Sequence, residues 1–249
     1  MDLIDEITKN RIAQAMEKLV STRFEGESAI VSLPISYPSG SLSAVSISIN
    51  DENCFISDCA IGYREAEMSG AADFYDAAAR HVSAWFGVGY DGASVFAASA
   101  HIDRVAGAAI AVANASAGAV SRAVMKAAEA KERNRNSAVF EILSDVFGRT
   151  NVEKTARITG RDAEWDAHNV VCVRGRRSVF EYVSSSPTSV AFKFQMFSDI
   201  VKIEDPPALV SVVDSVEKLG RKGAMLSDVS DIIEVKSARS VYERYGRAA

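Results

Sequence analysis

The sequence predicts an α+β protein of two units joined by an Ala-rich helical region. Three observations carry this. β-rich runs punctuated by turn clusters occur twice, once before residue 100 and once after 150, with helical periodicity around each series. Between them, 101–135 is dominated by Ala and nearly free of large side chains before Met125. Charge divides the same way: residues 1–100 hold six basic and fourteen acidic side chains, net −8, while 101–249 hold 22 and 19, net +3, within an overall −5. The expected division is 1–100, 101–135 and 136–249. A chain of 249 residues, 48% apolar and 24% charged, buries a sizeable core and is neither disordered nor fibrous.

The elements follow in order. Leu3, Ile4, Ile7, Ile12, Met16, Leu19 and Val20 recur at helical spacing, an amphipathic helix. Ala29 to Ile35 and Ser43 to Ile49 are β-rich and flank Ser36-Tyr37-Pro38-Ser39-Gly40, which makes a hairpin; Cys54 to Ser57 adds a strand. From Ala71 the period is helical, with Phe74, Tyr75, Ala78, His81, Val82 and Trp85 on one face, and Gly87 and Gly89 stop it; Ser94 to Ala100 is a further strand. High propensity makes 101–135 a long helix or a helix pair, weakened by Gly107 and Gly118. Its small residues permit close helix approach and so a homodimer through this region.

Ser137 to Phe147 is amphipathic and closed by Gly148. Strand-like runs follow at Val152 to Thr159, Trp165 to Val173 and Ser178 to Ser184. Ser186 as N-cap with Pro187 behind it opens a helix through Val201, and Pro206-Pro207 breaks it. Ala208 to Val213 reads as a buried strand, Ile232 to Val235 as a short one, and a terminal helix runs through Tyr245.

Several classes fall away. No window approaches the roughly 18–20 strongly apolar residues of a membrane span; Ala106 to Val120 is too short and too weakly hydrophobic, so no membrane partner is expected. The acidic start Met1-Asp2-Leu3-Ile4-Asp5-Glu6 is unlike a secretory signal. Cys54, Cys59 and Cys172 are odd in number and without paired spacing, which fits reduced thiols and a cytoplasmic protein. His81, His101 and His168 share no ligand spacing, and His81 reads as a core histidine. Gly87-Val88-Gly89 lacks a dinucleotide fingerprint, and neither a phosphate-binding Gly-Lys-Ser/Thr loop nor Gly-x-Ser-x-Gly occurs. No resident cofactor is expected.

Helix, three antiparallel strands, helix, strand is the α-β-β-β-α-β order of the restriction-endonuclease-like fold, and the C-terminal part resembles a degenerate core of that kind. The segments Ile158-Thr159-Gly160, Val170-Val171 and Phe180 to Pro187, with Ile56-Ser57-Asp58 and Gly62, resemble an uncharacterised two-domain family of bacteria and their mobile elements. That resemblance implies co-occurring domains and no activity. The nuclease order asks for an acidic residue on the second strand and Glu-x-Lys on the third, the carboxylates holding Mg²⁺. Asp166 and Glu181 stand at those places, but Val183 replaces the Lys; Lys193 on the next helix is the substitute. Ile233-Glu234-Val235-Lys236 repeats the spelling on a strand that comes too late in the order.

Basic residues suggest another chemistry. Arg174, Arg176 and Arg177 share a hairpin tip, where guanidinium groups grip phosphate oxygens, and Lys126 and Arg133 trail from the Ala-rich region towards a nucleic-acid track. The acidic first hundred residues suit a basic protein partner. The expectation is a non-catalytic interaction or regulatory protein acting on a defence or nucleic-acid-processing system. The alternatives are an Mg²⁺-dependent nuclease using Asp166, Glu181 and Lys193, or a DNA-binding protein without cleavage.

Overall fold

The computed structural model describes residues 6–17 and 19–246. It is α+β, and its contacts divide it into Met1–Glu129 and Ala130–Ala249.

In the first unit the described residues give α1 (Glu6–Glu17), β1 (Ser21–Glu25), β2 (Ser28–Ser36), β3 (Leu42–Asn50), β4 (Asn53–Ser57), α2 (Ile61–Met68), α3 (Tyr75–Phe86), β5 (Gly89–Tyr90) and β6 (Phe96–His101). The strands form one antiparallel sheet in the order β1-β2-β3-β4-β6-β5. Alternation decides which face is covered. Ala29, Val31 and Leu33, Val45 and Ile47, and Cys54 and Ile56 point to the core. The intervening Ser28, Ser32, Ser46 and Ser48 point away from it. α3 supplies Tyr75, Ala78, Ala79 and Val82.

The Ala-rich segment belongs to one helix, α4 (Val105–Phe147), and the division between units falls inside it. Val112, Ala113, Ala115, Ala119, Val120 and Ala123 are buried in the first core. These buried alanines pack within their own unit, where lack of bulk brings the helix close to its neighbours, while Ala106 and Ala128 are exposed. Contrary to the sequence reading, this helix includes a window of mean hydropathy 1.3, apolar enough by length and composition to cross a membrane, and half of that window is buried.

Two other expectations are corrected. His81 and Trp85 are exposed, Trp85 at 78%, because the buried stripe of α3 runs through Tyr75, Ala78, Ala79 and Val82. Of the N-terminal amphipathic face, Leu3 and Ile4 lie outside the described residues, and Ile12, Leu19 and Val20 are exposed.

The second unit continues from the end of α4 with β7 (Val152–Thr159), β8 (Glu164–Val173), β9 (Arg176–Tyr182), α5 (Pro187–Ile200), β10 (Ala208–Val213), α6 (Val216–Leu219), α7 (Lys222–Ser227), β11 (Asp231–Glu234) and α8 (Arg239–Glu243). Its mixed sheet has the order β11-β10-β9-β8-β7: an antiparallel meander of β7, β8 and β9, then β10 and β11 parallel to β9. Val139, Phe140 and Leu143 of α4 and Tyr242 of α8 cover one face with Val171, Phe180, Tyr182, Val210 and Val212. Met196, Phe197 and Ile200 of α5 cover the other with Ile158, Ala167, Val170, Val179 and Leu209. Ser186 caps α5 by accepting from the Ser189 N–H, with Pro187 at its start.

Candidate functional site

Glu181 is fully buried on β9, facing α5. Its neighbour there is Lys193, also buried, whose Nζ lies 2.7 Å from Oε2. The His168 backbone N–H donates to Oε1, and His168 Nδ1 lies 3.2 Å from Oε2. Thus two of the three residues read as a nuclease site do meet.

Asp166 does not join them. Its side chain is 73% exposed and pairs with Arg157 at 3.7 Å. The cause is a break in the alternation of β8. Trp165 and Ala167 pack on the α5 side, and so do Val170 and Cys172, although unbroken alternation would place the two pairs on opposite faces. Asn169, at φ 52°, stands where the alternation breaks, while the register with β7 continues unchanged on both sides of it. Asp166 consequently faces away from Glu181.

Around this break, side chains replace the β8–β9 ladder. The β8–β9 pairing extends from Val170–Val179 to Val173–Arg176. Beyond it, Glu181 takes the His168 N–H, and Asn136 Oδ1 from α4 takes the Tyr182 N–H at 3.2 Å. Asn169 Nδ2 in turn donates to the Asn136 carbonyl. These backbone donors must be satisfied, and the side chains of Glu181 and Asn136 do it.

This arrangement does not fit Mg²⁺. A hard divalent cation needs several oxygens in one place. Here the Glu181 oxygens accept from an N–H and an ammonium, and Asp166 is on the other face. Among the described residues no group of three His, Cys, Asp or Glu is disposed to hold a metal. The Glu234–Lys236 pair is a surface ion pair at 3.3 Å, with Glu234 also accepting from the Val216 N–H, which holds its carboxyl below the usual range.

A larger feature lies at the opposite end of β9. Arg157, Arg176, Arg177 and Arg244 line a cleft of about 1000 Å³, with Tyr245, Pro206, Pro207 and one carboxylate, Asp205. The β8–β9 turn builds one wall: Arg174 and Gly175 both have positive φ, 51° and 80°, the geometry of a tight hairpin turn that sends Arg176 and Arg177 up the next strand. Arg244 stacks on the Tyr245 ring, 4.9 Å from its centroid, and donates to its hydroxyl. Of the residues read from the sequence as basic contacts, Arg176 and Arg177 line the cleft. Arg174, Lys126 and Arg133 do not, and Lys126 pairs with Glu129 at 2.8 Å. Arg157 and Arg244 were missed because they reach the cleft from β7 and from the segment after α8, far away in sequence.

The first unit has its own buried polar group. Asp58 is fully buried at the end of β4. Its carboxylate accepts from the N–H groups of Phe96 at 2.9 Å, Ala60 and Gly62, and from Ser116 Oγ at 2.7 Å. Tyr37 OH lies 2.9 Å from the same Ser116 hydroxyl. Burial raises the Asp58 carboxyl above the ordinary range, opposed by these donors. The backbone cooperates: Cys59 and Ala60 both have positive φ, so the chain turns sharply around the carboxylate into α2.

No family model matches the chain, and no curated protein and no solved structure does so either.

Proposed function

We propose that this is a non-catalytic binding protein whose C-terminal unit takes a nucleic acid by its phosphate backbone. The arginine-lined cleft carries the reading: four guanidinium groups from β7, β9 and the segment after α8 converge on one open cavity, against a single lining carboxylate. Guanidinium forks match phosphate oxygens, and such contacts position a backbone without reading its sequence. Arg157 is held by Glu164 and Asp166 on the same hairpin, so those two carboxylates act as its counter-charges. The acidic first hundred residues offer a surface for a basic protein partner, which suits a regulatory rather than a catalytic role.

The test is fluorescence anisotropy with duplex and single-stranded DNA over a series of salt concentrations. Binding is expected to weaken with salt, and Arg176→Ala with Arg177→Ala to lower the slope of log K against log salt by about two, roughly 0.9 per phosphate contact. Salt-independent binding, or an unchanged slope in the double variant, would sink the proposal.

The nuclease reading retains one supporting observation, the approach of Lys193 to Glu181. Incubating plasmid and linear DNA with Mg²⁺ or Mn²⁺ tests it: cleavage lost in Glu181→Gln would restore an enzyme, and no cleavage is expected.

A further inference from the structure

At the other end of the second sheet, where the parallel strands β9 and β10 finish, the chain encloses a much smaller pocket of about 130 Å³. Its lining includes Lys131 from α4, Lys218 from α6, and Ser184, Ser185 and Ser215 from the two strand-to-helix loops. The crevice outside the carboxyl ends of parallel strands is where open mixed and parallel sheets bind ligands. The volume is well below the roughly 300–1,000 Å³ of pockets for drug-sized molecules, so only a small group enters.

The charges there are unevenly matched. Asp214, the one carboxylate lining the pocket, is already engaged: its Oδ2 accepts from Tyr182 OH at 2.9 Å and its Oδ1 lies 3.3 Å from Arg135. The Tyr182 hydroxyl is pushed up to about 12 by burial and by that carboxylate, so it stays a donor. Glu132 accepts from Ser189 Oγ at 3.3 Å. Lys222 is directed to the Ser185 carbonyl. Lys131 and Lys218 remain, and among the described residues neither has an ion-pair or hydrogen-bond partner. The first turn of α5 is capped by Ser186, so the two ammonium groups, rather than the helix end, supply the attraction.

We infer that this pocket binds a phosphate monoester group, held between Lys131 and Lys218 with hydroxyl donors from Ser185 and Ser215. It is separate from the arginine cleft and does not depend on it. A phosphate monoester reaches such a pocket either as a free small phosphate or as the 5′-phosphate end of a nucleic-acid strand.

The test uses the full chain titrated with inorganic phosphate, followed by calorimetry and by ³¹P line broadening. Lys131→Met and Lys218→Met keep most of each stem and alter exposed side chains, so the fold is expected to survive. Each is expected to weaken phosphate binding at least about tenfold. The Arg176→Ala, Arg177→Ala double variant removes phosphate contacts at the cleft and is expected to keep the lysine-dependent binding. Absence of saturable binding, or binding lost in the arginine variant and kept in both lysine variants, would overturn the assignment. A 5′-phosphorylated oligonucleotide compared with its 5′-hydroxyl form separates the sources. A lysine-dependent preference for the phosphorylated form assigns the strand end; equal binding of the two, with inorganic phosphate still lysine-dependent, assigns free phosphate.

Discussion

Each unit buries one carboxylate completely, and they do it in opposite ways. Asp58 is surrounded by neutral donors, three backbone N–H groups and a serine hydroxyl, without an adjacent cation. Glu181 is matched by a buried ammonium, with an N–H as second donor. In the first unit the backbone bends around the charge, through two successive residues at positive φ. In the second, a helix brings a counter-charge down onto a strand. The difference teaches that a carboxylate tolerates removal from water within a cage of neutral donors, part local (Ala60, Gly62) and part remote (Phe96, Ser116), or against a buried cation brought by another element.

Breaking the tertiary pair should have the largest effect. Lys193→Met leaves Glu181 buried and uncompensated, which costs about 3–5 kcal/mol. The double variant with Glu181→Gln should recover much of that loss, because no unpaired charge remains; urea unfolding of the three proteins measures it. A double variant as unstable as the single one would show that Lys193 acts through packing alone.

Gly62 tests the neutral cage. A Cβ there would run into Ser116 Oγ and the Tyr75 hydroxyl and approach Asp58 Oδ2 to 3.3 Å. Gly62→Ala should cost about 1–3 kcal/mol by overpacking. An unchanged unfolding midpoint would mean that the cage opens freely.

A smaller effect, with a diagnostic pH dependence, belongs to Asp58→Asn, which replaces one acceptor oxygen with an amide and should cost about 1–2 kcal/mol. Because the folded Asp58 carboxyl is raised, the folded state holds its proton more tightly than the unfolded chain does. That contribution is present below the ordinary carboxylate value and is lost as pH rises through the raised one. Asp199 has the opposite sign. Its carboxylate accepts from Trp165 Nε1 at 2.7 Å and from the Asp162 and Ala163 N–H groups, and these donors, the indole first, hold its carboxyl below the ordinary range. Its stabilisation is present above the unfolded value and lost as pH falls through the lowered one. Stability differences between wild type and each Asn variant, measured across the acid range, should therefore run in opposite directions. Parallel curves would contradict the contrast.

The smallest effect is expected at Asp166. Exposed and paired only with the exposed Arg157, Asp166→Asn should change stability by less than about 0.5 kcal/mol. A larger loss in thermal unfolding would place it back among structural residues.

Much of the secondary structure was legible, element by element. β7 and β10 have the bounds expected from their strand-like runs, and α5 starts where Ser186 and Pro187 mark it. β1 was not legible: Ser21 to Glu25 is polar and exposed, and it exists through pairing with β2. α2 was missed because it has eight residues and no side-chain cap; Ala60 precedes it in the left-handed region. The site was less legible than the fold. Arg176 and Arg177 could be read because they are neighbours on one hairpin. Arg157 and Arg244 could not, because sheet order and the path of the last segment bring them together.

By itself the sequence determined the α+β class, two series of strands and the divided charge, because these follow from composition, local periodicity and capping. Tertiary structure alone decided that the Ala-rich segment becomes core, that Asp166 and Glu181 part company and that four arginines share a cleft. The physical reason is one of range. Alternation and helical period act over a few residues, whereas the break in alternation at Asn169 depends on the partners that β9 and α4 supply around it, and it leaves Asp166 facing away from Glu181.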